Sequence, residues 1–251
     1  MAAQEFLDHE GTPIAYRRIE GSQPGVVWLG GYRSDMLGAK AETLAAWAER
    51  TGRAFLRHDY SGHGESGGDF ADGTISKWLG ESLAVFRRLT EGPQLLVGSS
   101  MGAWIALRLV QELRKAGKGE RIAGIVLLAP APDFTEKLMT PEIPPEGHAA
   151  LTADGVWLRP SEYGAPYPIT RALLEDGARW SILGGEPIPL TMPIRILQGA
   201  QDPDVPWQHA LELAQTLKGE DVVFSLIKDG DHRLSRPQDI DRLIAAVEEL
   251  G

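Results

Sequence analysis

Short apolar runs alternate with longer amphipathic stretches along most of this chain, a pattern that predicts strands and helices taking turns. Ile14 to Ile19 alternates in the manner of an early antiparallel strand, and Gly25 to Leu29 (GVVWL) reads as a buried strand. Lys40 to Arg50 places Leu44, Trp47 and Ala48 on one helical face. A short strand is expected over Ala54 to His58 and a helix over Ile75 to Leu89. Gln94 to Val97 is a strand running into a glycine turn, after which Ala103 to Leu113 carries Ile105, Leu109 and Val110 at helical spacing. Ile122 to Leu128 (IAGIVLL) is apolar and β-branched enough for a central parallel strand. Strands at Ile194 to Leu197 and Val222 to Ile227, a helix from Trp207 and a last helix at Pro237 to Leu250 complete the series. The class this predicts is α/β with a mostly parallel sheet.

The rhythm breaks between Pro130 and Pro193. This stretch is rich in proline, and it carries Phe134, Trp157, Tyr163, Tyr167 and Trp180. A structureless loop of that length is uncommon inside a compact domain. The segment 133–190 is therefore expected to be an inserted cap with short helices, lying over the ends of the strands.

Size and composition narrow the function classes. A chain of 251 residues forms one α/β unit without difficulty, and its 29 glycines suit a fold with many strand-to-helix turns. The formal net charge of −10 argues against binding nucleic acid or anionic lipid, both of which need clustered Lys and Arg. Arg114 to Arg121 reads as a helix end and turn. The absence of cysteine removes disulfides, thiolate metal sites and a cysteine nucleophile. No run approaches 18 apolar residues, so no membrane span is expected. Met1 to Glu10 carries three acidic residues, no arginine and no apolar run, which predicts neither a secretory nor a transit segment and hence a cytoplasmic chain.

The chemistry-bearing motif is Gly98-Ser99-Ser100-Met101-Gly102, a G-x-S-x-G pattern. It places a serine on a sharp turn between strand and helix, with glycines where neighbouring backbone must pass closely. Alone the motif is short enough to arise by chance, and its bland reading is a capped turn. Its setting strengthens it, because Leu95 to Val97 precede as a strand and Ala103 to Leu113 follow as a helix. Ser100, not Ser99, has glycines at −2 and +2.

A nucleophilic serine needs a base, and the base needs an orienting acid. Where this motif sits in such a sheet, the partners follow in the order Ser, Asp or Glu, His. Asp202 comes just past the strand Ile194 to Leu197, and His232 just past Val222 to Ile227. Both are expected at the C-terminal edge of the sheet, where catalytic side chains of parallel sheets gather. Asp204 is a rival acid, nearer the next helix. Asp229 and Asp231 suit loop and capping roles, His209 a helix surface, and His58, His63 and His148 fall outside the expected order. Oxyanion donors are expected at Met101 N–H, which opens a helix, and at Tyr32 N–H after the strand Gly25 to Leu29, with Gly31 as its alternative. Arg33, beside that loop, is a candidate contact for an anionic group, and Trp157 and Trp207 are candidate contacts for an acyl or aryl group. An imidazole base must begin neutral, which predicts activity falling in acid.

The segments Gly31-Tyr32-Arg33-Ser34, Asp59 to Ser66 (DYSGHGES), Leu96 to Gly102, Asp202 to Trp207 (DPDVPW) and Asp231-His232-Arg233 together resemble the α/β-hydrolases. Within them they are similar to the abhydrolase-domain subfamily of acyl-protein thioesterases and acyl-glucuronide esterases. The resemblance implies an eight-stranded, mostly parallel sheet flanked by helices with an inserted cap, and a triad of Ser100, Asp202 and His232. It implies cleavage of carboxylic ester or acyl-thioester bonds, in a small molecule or an acylated protein, with no metal or organic cofactor. Two other readings stay open: a non-catalytic binding protein on this fold, and a carbon–carbon bond hydrolase using the same triad.

Overall fold

The computed structural model describes residues 2–160, 165–186 and 188–251; Met1, Tyr163 and Pro187 lie outside the described residues. In chain order the strands are β1 (Gln4–His9), β2 (Thr12–Ile19), β3 (Ser22–Leu29), β4 (Arg53–His58), β5 (Gln94–Ser99), β6 (Ile122–Leu128), β7 (Val156–Arg159), β8 (Tyr167–Thr170), β9 (Ile188–Pro189), β10 (Ile194–Gly199), β11 (Leu217–Lys218) and β12 (Val222–Ile227). Eight of them form one sheet in the order β1-β2-β4-β3-β5-β6-β10-β12. From β4 to β12 every pairing in it is parallel, while β2 pairs antiparallel with both β1 and β4.

Alternation within the central strands sorts side chains onto two faces. Val27, Leu29 and Leu96 join one core layer, and Val26, Trp28, Leu95 and Val97 join the other. Both faces are covered, which is why these strands read as unbroken apolar runs. Helices α1 (Ala39–Thr51) and α7 (Pro237–Leu250) cover one face through Leu44, Trp47, Leu243 and Val247. Helices α2 (Ile75–Leu89), α3 (Met101–Lys115) and α6 (Trp207–Thr216) cover the other through Trp78, Trp104 and Leu213. Local signals set their ends: the Thr74 side chain accepts Lys77 N–H at the start of α2, and Gly52, at φ 66°, closes α1.

The segment expected as a cap contains a single π-helical turn at Thr135–Met139, α4 (Pro145–Asp154), the antiparallel β7–β8 pair and α5 (Arg171–Arg179). Its two ends are stitched together at Asp133. That buried carboxylate accepts Ile182 N–H at 2.7 Å, Leu183 N–H at 2.7 Å and the Ser181 hydroxyl at 2.9 Å. Trp104 and Arg108 of α3 both donate to the Trp180 carbonyl, and Asp176 accepts Ser76 N–H at 2.7 Å at the start of α2. These bonds fix the segment expected as a cap to the helices of one face.

One element was missed and one expectation is corrected. Strand β1 was not anticipated, because its residues are mostly exposed at the sheet edge and show no buried face. His209 is not a surface residue: it is 8% exposed, and its Nε2 lies 2.8 Å from Pro132 O, at the entrance to the insertion.

Candidate active site

β5 ends at Ser99 and α3 begins at Met101, so Ser100 occupies the turn between them. Its backbone lies at φ 55° and ψ −117°, a conformation that costs an ordinary L residue energy. Neighbouring bonds hold it there. Ser100 N–H donates to Leu128 O at 2.8 Å, and Ser100 O accepts Ala103 N–H at 3.0 Å and Ala131 N–H at 3.2 Å. A side chain on Gly102 would lie 2.1 Å from Leu29 O, and one on Gly98 would lie 2.5 Å from Gly102 O. The turn therefore packs directly on the end of β3. It also brings the following loop to the serine: a Cβ on Gly31 would be 3.5 Å from Ser100 Cβ.

That packing positions two backbone donors. Met101 N–H opens α3, and Tyr32 N–H belongs to the loop after β3; among the described residues neither has a protein acceptor. Both residues line the cleft that holds Ser100. Unpaired N–H groups beside a helix start suit a developing negative charge.

β10 and β12 are neighbouring parallel strands, so the loops that follow them meet. Asp202, past β10, has a fully buried side chain with four partners. Its Oδ1 accepts Asp204 N–H at 2.9 Å and Val205 N–H at 2.8 Å. Its Oδ2 accepts Gln198 Nε2 at 3.2 Å and lies 2.8 Å from His232 Nδ1. A carboxylate accepts, so the proton of the neutral ring belongs on Nδ1 and Nε2 keeps its lone pair. Ser100 Oγ makes no hydrogen bond to His232 in this conformation, although both line one cleft. Such contacts are often loose without substrate and tighten when it binds.

Of the rival residues, Asp204 stays at the cleft with its N–H donated to Asp202, and the others are engaged elsewhere. Asp229 pairs with Arg236 at 2.8 Å, and Asp231 accepts Leu234 N–H at 3.0 Å. His58 is buried against Ser82, its imidazole pushed down to about 4 by desolvation, and His148 is exposed on α4. Asp202, Asp204 and His232 bring possible metal-ligand atoms within 4.8 Å of one another. The Asp202 oxygens and His232 Nδ1 are already committed to the hydrogen bonds above.

The cleft measures about 690 Å³. Phe134, Leu138, Met139 and Tyr167 supply apolar lining from residues 133–190, and Arg33, Lys137, Arg159, Glu142 and Asp204 are among its charged lining residues. Arg33 stacks over the Tyr167 ring at 3.8 Å, and Tyr167 is the cross-strand partner of Arg159. Of the expected substrate contacts, Arg33 lines the cleft and the two tryptophans do not. Trp157 packs instead on α4, where a side chain on Gly147 would meet its ring at 3.0 Å. Trp207 opens α6 beyond Pro206, the last lining residue of its loop. Lys40 lies behind the His232 loop. Its Nζ donates to Arg233 O, next to His232, and burial pushes it down to about 8.

Similarity to known proteins agrees with this geometry. The mouse mitochondrial palmitoyl-protein thioesterase ABHD10 is 35% identical over 99% of this chain and 82% of its own. The human protein of that name is 32% identical over 98% and 79%. A crystal structure from Agrobacterium vitis S4 superposes with a TM-score of 0.92 at 47% identity, covering 100% of this chain and 97% of that one. The mouse alpha/beta hydrolase domain-containing protein 10 gives 0.88 at 34%, over 99% and 98%. Residues 25–246 match the alpha/beta hydrolase family, spanning everything from β3 through the serine turn to the last helix, and the chain belongs to that family.

Proposed function

We propose that the chain hydrolyses carboxylic ester or acyl-thioester bonds through an acyl-enzyme on Ser100. The observation that carries this reading is the 2.8 Å contact from Asp202 to His232 Nδ1, which leaves the other ring nitrogen as a base in the cleft of Ser100. Ser100 attacks the acyl carbon while His232 Nε2 takes its proton. Met101 and Tyr32 N–H receive the oxyanion. His232 then protonates the departing alcohol or thiol, water enters, and the same steps release the acid. Asp202 orients the ring and stabilises its charged form. Every step uses this chain's residues and water.

The apolar lining of Phe134, Leu138 and Met139 suits an acyl chain, and Arg33 offers a contact to an anionic group beside the reacting carbon. The curated relatives are named palmitoyl-protein thioesterases, which supports acyl thioesters, in small molecules or acylated proteins, as the first substrates to try. Their names also say mitochondrial, which does not support the cytoplasmic placement expected from the sequence. Among the described residues no helix is long and apolar enough to cross a membrane.

The test is hydrolysis of p-nitrophenyl esters and acyl-coenzyme A thioesters of graded length, with Ser100→Ala as control and a fluorophosphonate probe as label. Labelling and turnover that both vanish in Ser100→Ala are expected. Turnover retained in a clean Ser100→Ala preparation would overturn the nucleophile. Absent labelling and turnover in the wild type would favour a binding protein instead.

A further inference from the structure

Three consecutive peptide planes run from Gly30 to Arg33, and each is pinned by a bond that leaves Tyr32 N–H free. In the first, Gly30 O accepts the Tyr60 hydroxyl at 3.1 Å. In the second, Gly31 O accepts Ser34 N–H at 3.2 Å. In the third, Arg33 N–H donates to His63 Nε2 at 3.1 Å. The second plane also carries Tyr32 N–H, which points away from Gly31 O because the peptide is trans. Its direction is therefore set by its own carbonyl and by the planes on either side.

The third bond has the most to hold. Arg33 lies at φ 58°, where an arginine needs support from its surroundings. His63 is built to give it. The residue is 4% exposed, and its Nδ1 lies 3.1 Å from Ser61 O. A carbonyl only accepts, so Nδ1 carries the proton and Nε2 offers a lone pair to Arg33 N–H. Phe70 and Trp78 pack edge-on against the ring, with centroids at 5.1 and 5.2 Å, and fix its plane. Trp78 Nε1–H shares the same Ser61 carbonyl at 3.2 Å. Burial lowers the basicity of His63, which keeps Nε2 unprotonated and available as an acceptor.

We infer that His63 is a positioning residue for this reaction: by accepting Arg33 N–H it holds the loop so that Tyr32 N–H faces the oxyanion formed at Ser100. His63 touches no reacting atom. The inference rests on the acyl-enzyme reading above, and it adds a residue that precedes the nucleophile and stands outside the Ser100, Asp202 and His232 relay.

The test compares His63→Gln, whose side-chain oxygen can accept Arg33 N–H, with His63→Met, which offers only a weak acceptor. Three quantities are measured on protein that melts cooperatively: kcat, KM, and Ki for a trifluoromethyl ketone, whose tetrahedral adduct places an oxyanion in the same hole. Removing an oxyanion donor outright costs on the order of 100- to 1000-fold in rate, so misaiming one is expected to lower kcat roughly 10- to 100-fold in His63→Met. KM should stay within about twofold, Ki should rise in proportion to the loss of kcat/KM, and His63→Gln should recover to within about fivefold of wild type. A His63→Met enzyme with wild-type kcat, or a loss expressed only in KM, would overturn the inference. If His63→Met does not fold, a folded His63→Gln decides: recovery with near-normal Ki supports the role, and a loss beyond tenfold sinks it. Failure of the underlying reading is distinguishable, because then Ser100→Ala would retain turnover.

Discussion

Gly199 lies against the backbone of Gly230: a Cβ on Gly199 would fall 2.4 Å from Gly230 O and 2.6 Å from Asp231 O. These two glycines are where the strand that leads to Asp202 meets the loop that carries His232. Gln201 N–H donates to Gly230 O at 2.9 Å across the same junction. The separation of the proposed acid and base is thus set by bare backbone contact.

Gly199→Ala is expected to push the His232 loop away from Asp202. Overpacking of this kind typically costs about 1–3 kcal/mol, and a displacement near 1 Å at a catalytic pair costs on the order of 100-fold in rate. Urea unfolding and kcat measured together would check both numbers. A stable variant with unchanged kcat would show that the junction tolerates the extra carbon and that the contact does not set the geometry.

Asp202→Asn keeps the shape of the side chain and removes its charge. The amide nitrogen cannot accept, so at least one of the bonds from Asp204 N–H, Val205 N–H, Gln198 or His232 is lost. If the oxygen stays toward the backbone donors, the nitrogen faces His232 and favours the wrong tautomer. Comparable substitutions in serine hydrolases lower kcat by about 10⁴ with the fold intact. Steady-state kinetics beside a thermal melt would test this, and a loss under tenfold would remove Asp202 from its proposed role.

Acid stability offers a separate test of the strand β4 end. Burial pushes the His58 imidazole down to about 4 and raises the Asp59 carboxyl to about 6. The two act with opposite sign. Below the ordinary imidazole range the unfolded chain takes up a proton that folded His58 refuses, so stability falls as pH drops from about 6.5 to 4. Folded Asp59 holds its proton longer than the unfolded chain does, so its contribution is lost as pH rises from about 4 to 6. Their slopes partly offset each other in the wild type. His58→Gln should flatten or reverse the fall of Tm between pH 6.5 and 4, and Asp59→Asn should steepen it. The readout is the slope, since each substitution also removes hydrogen bonds at all pH values. Parallel Tm profiles in all three proteins would contradict the assignment.

Much of this architecture was legible in the residues because the signals are local. Ile75–Leu89, Ile122–Leu128, Val222–Ile227 and Pro237–Leu250 have the bounds that their periodicity and flanking breakers predict. The Ser100 turn was legible in part for the same reason: Gly98 answers to Gly102 and Ala103 a few residues on, whereas Gly102 answers to Leu29 and Gly30 at the distant end of β3. What sequence pattern could not reveal depends on pairs distant along the chain. His209 looks like a polar helix position until α6 meets Pro132. Trp157 was expected in the cleft because the insertion is aromatic, yet which aromatic faces inward is decided by the β7–β8 pairing and the packing of Trp157 on α4. His63 was set aside for lying before Ser100, and its partner is a backbone N–H that no residue type announces.

Arg33 gives the last prediction, on substrate choice. Its guanidinium rests on the Tyr167 ring at 3.8 Å, and it forms no ion pair among the described residues, in a chain whose net charge is −10. A cation held at the mouth of a cleft by an aromatic face is pre-organised to meet an anionic group, and stacking costs it little of its charge. Arg33→Gln should raise KM for esters bearing a carboxylate or phosphate about tenfold, the loss of roughly one charge-assisted contact, while neutral esters of the same acyl length change less than about twofold. Raised ionic strength should shrink the preference of the wild type for anionic substrates and leave the variant unaffected. If neutral and anionic esters lose equally, Arg33 acts through the loop conformation at φ 58° and not through its charge.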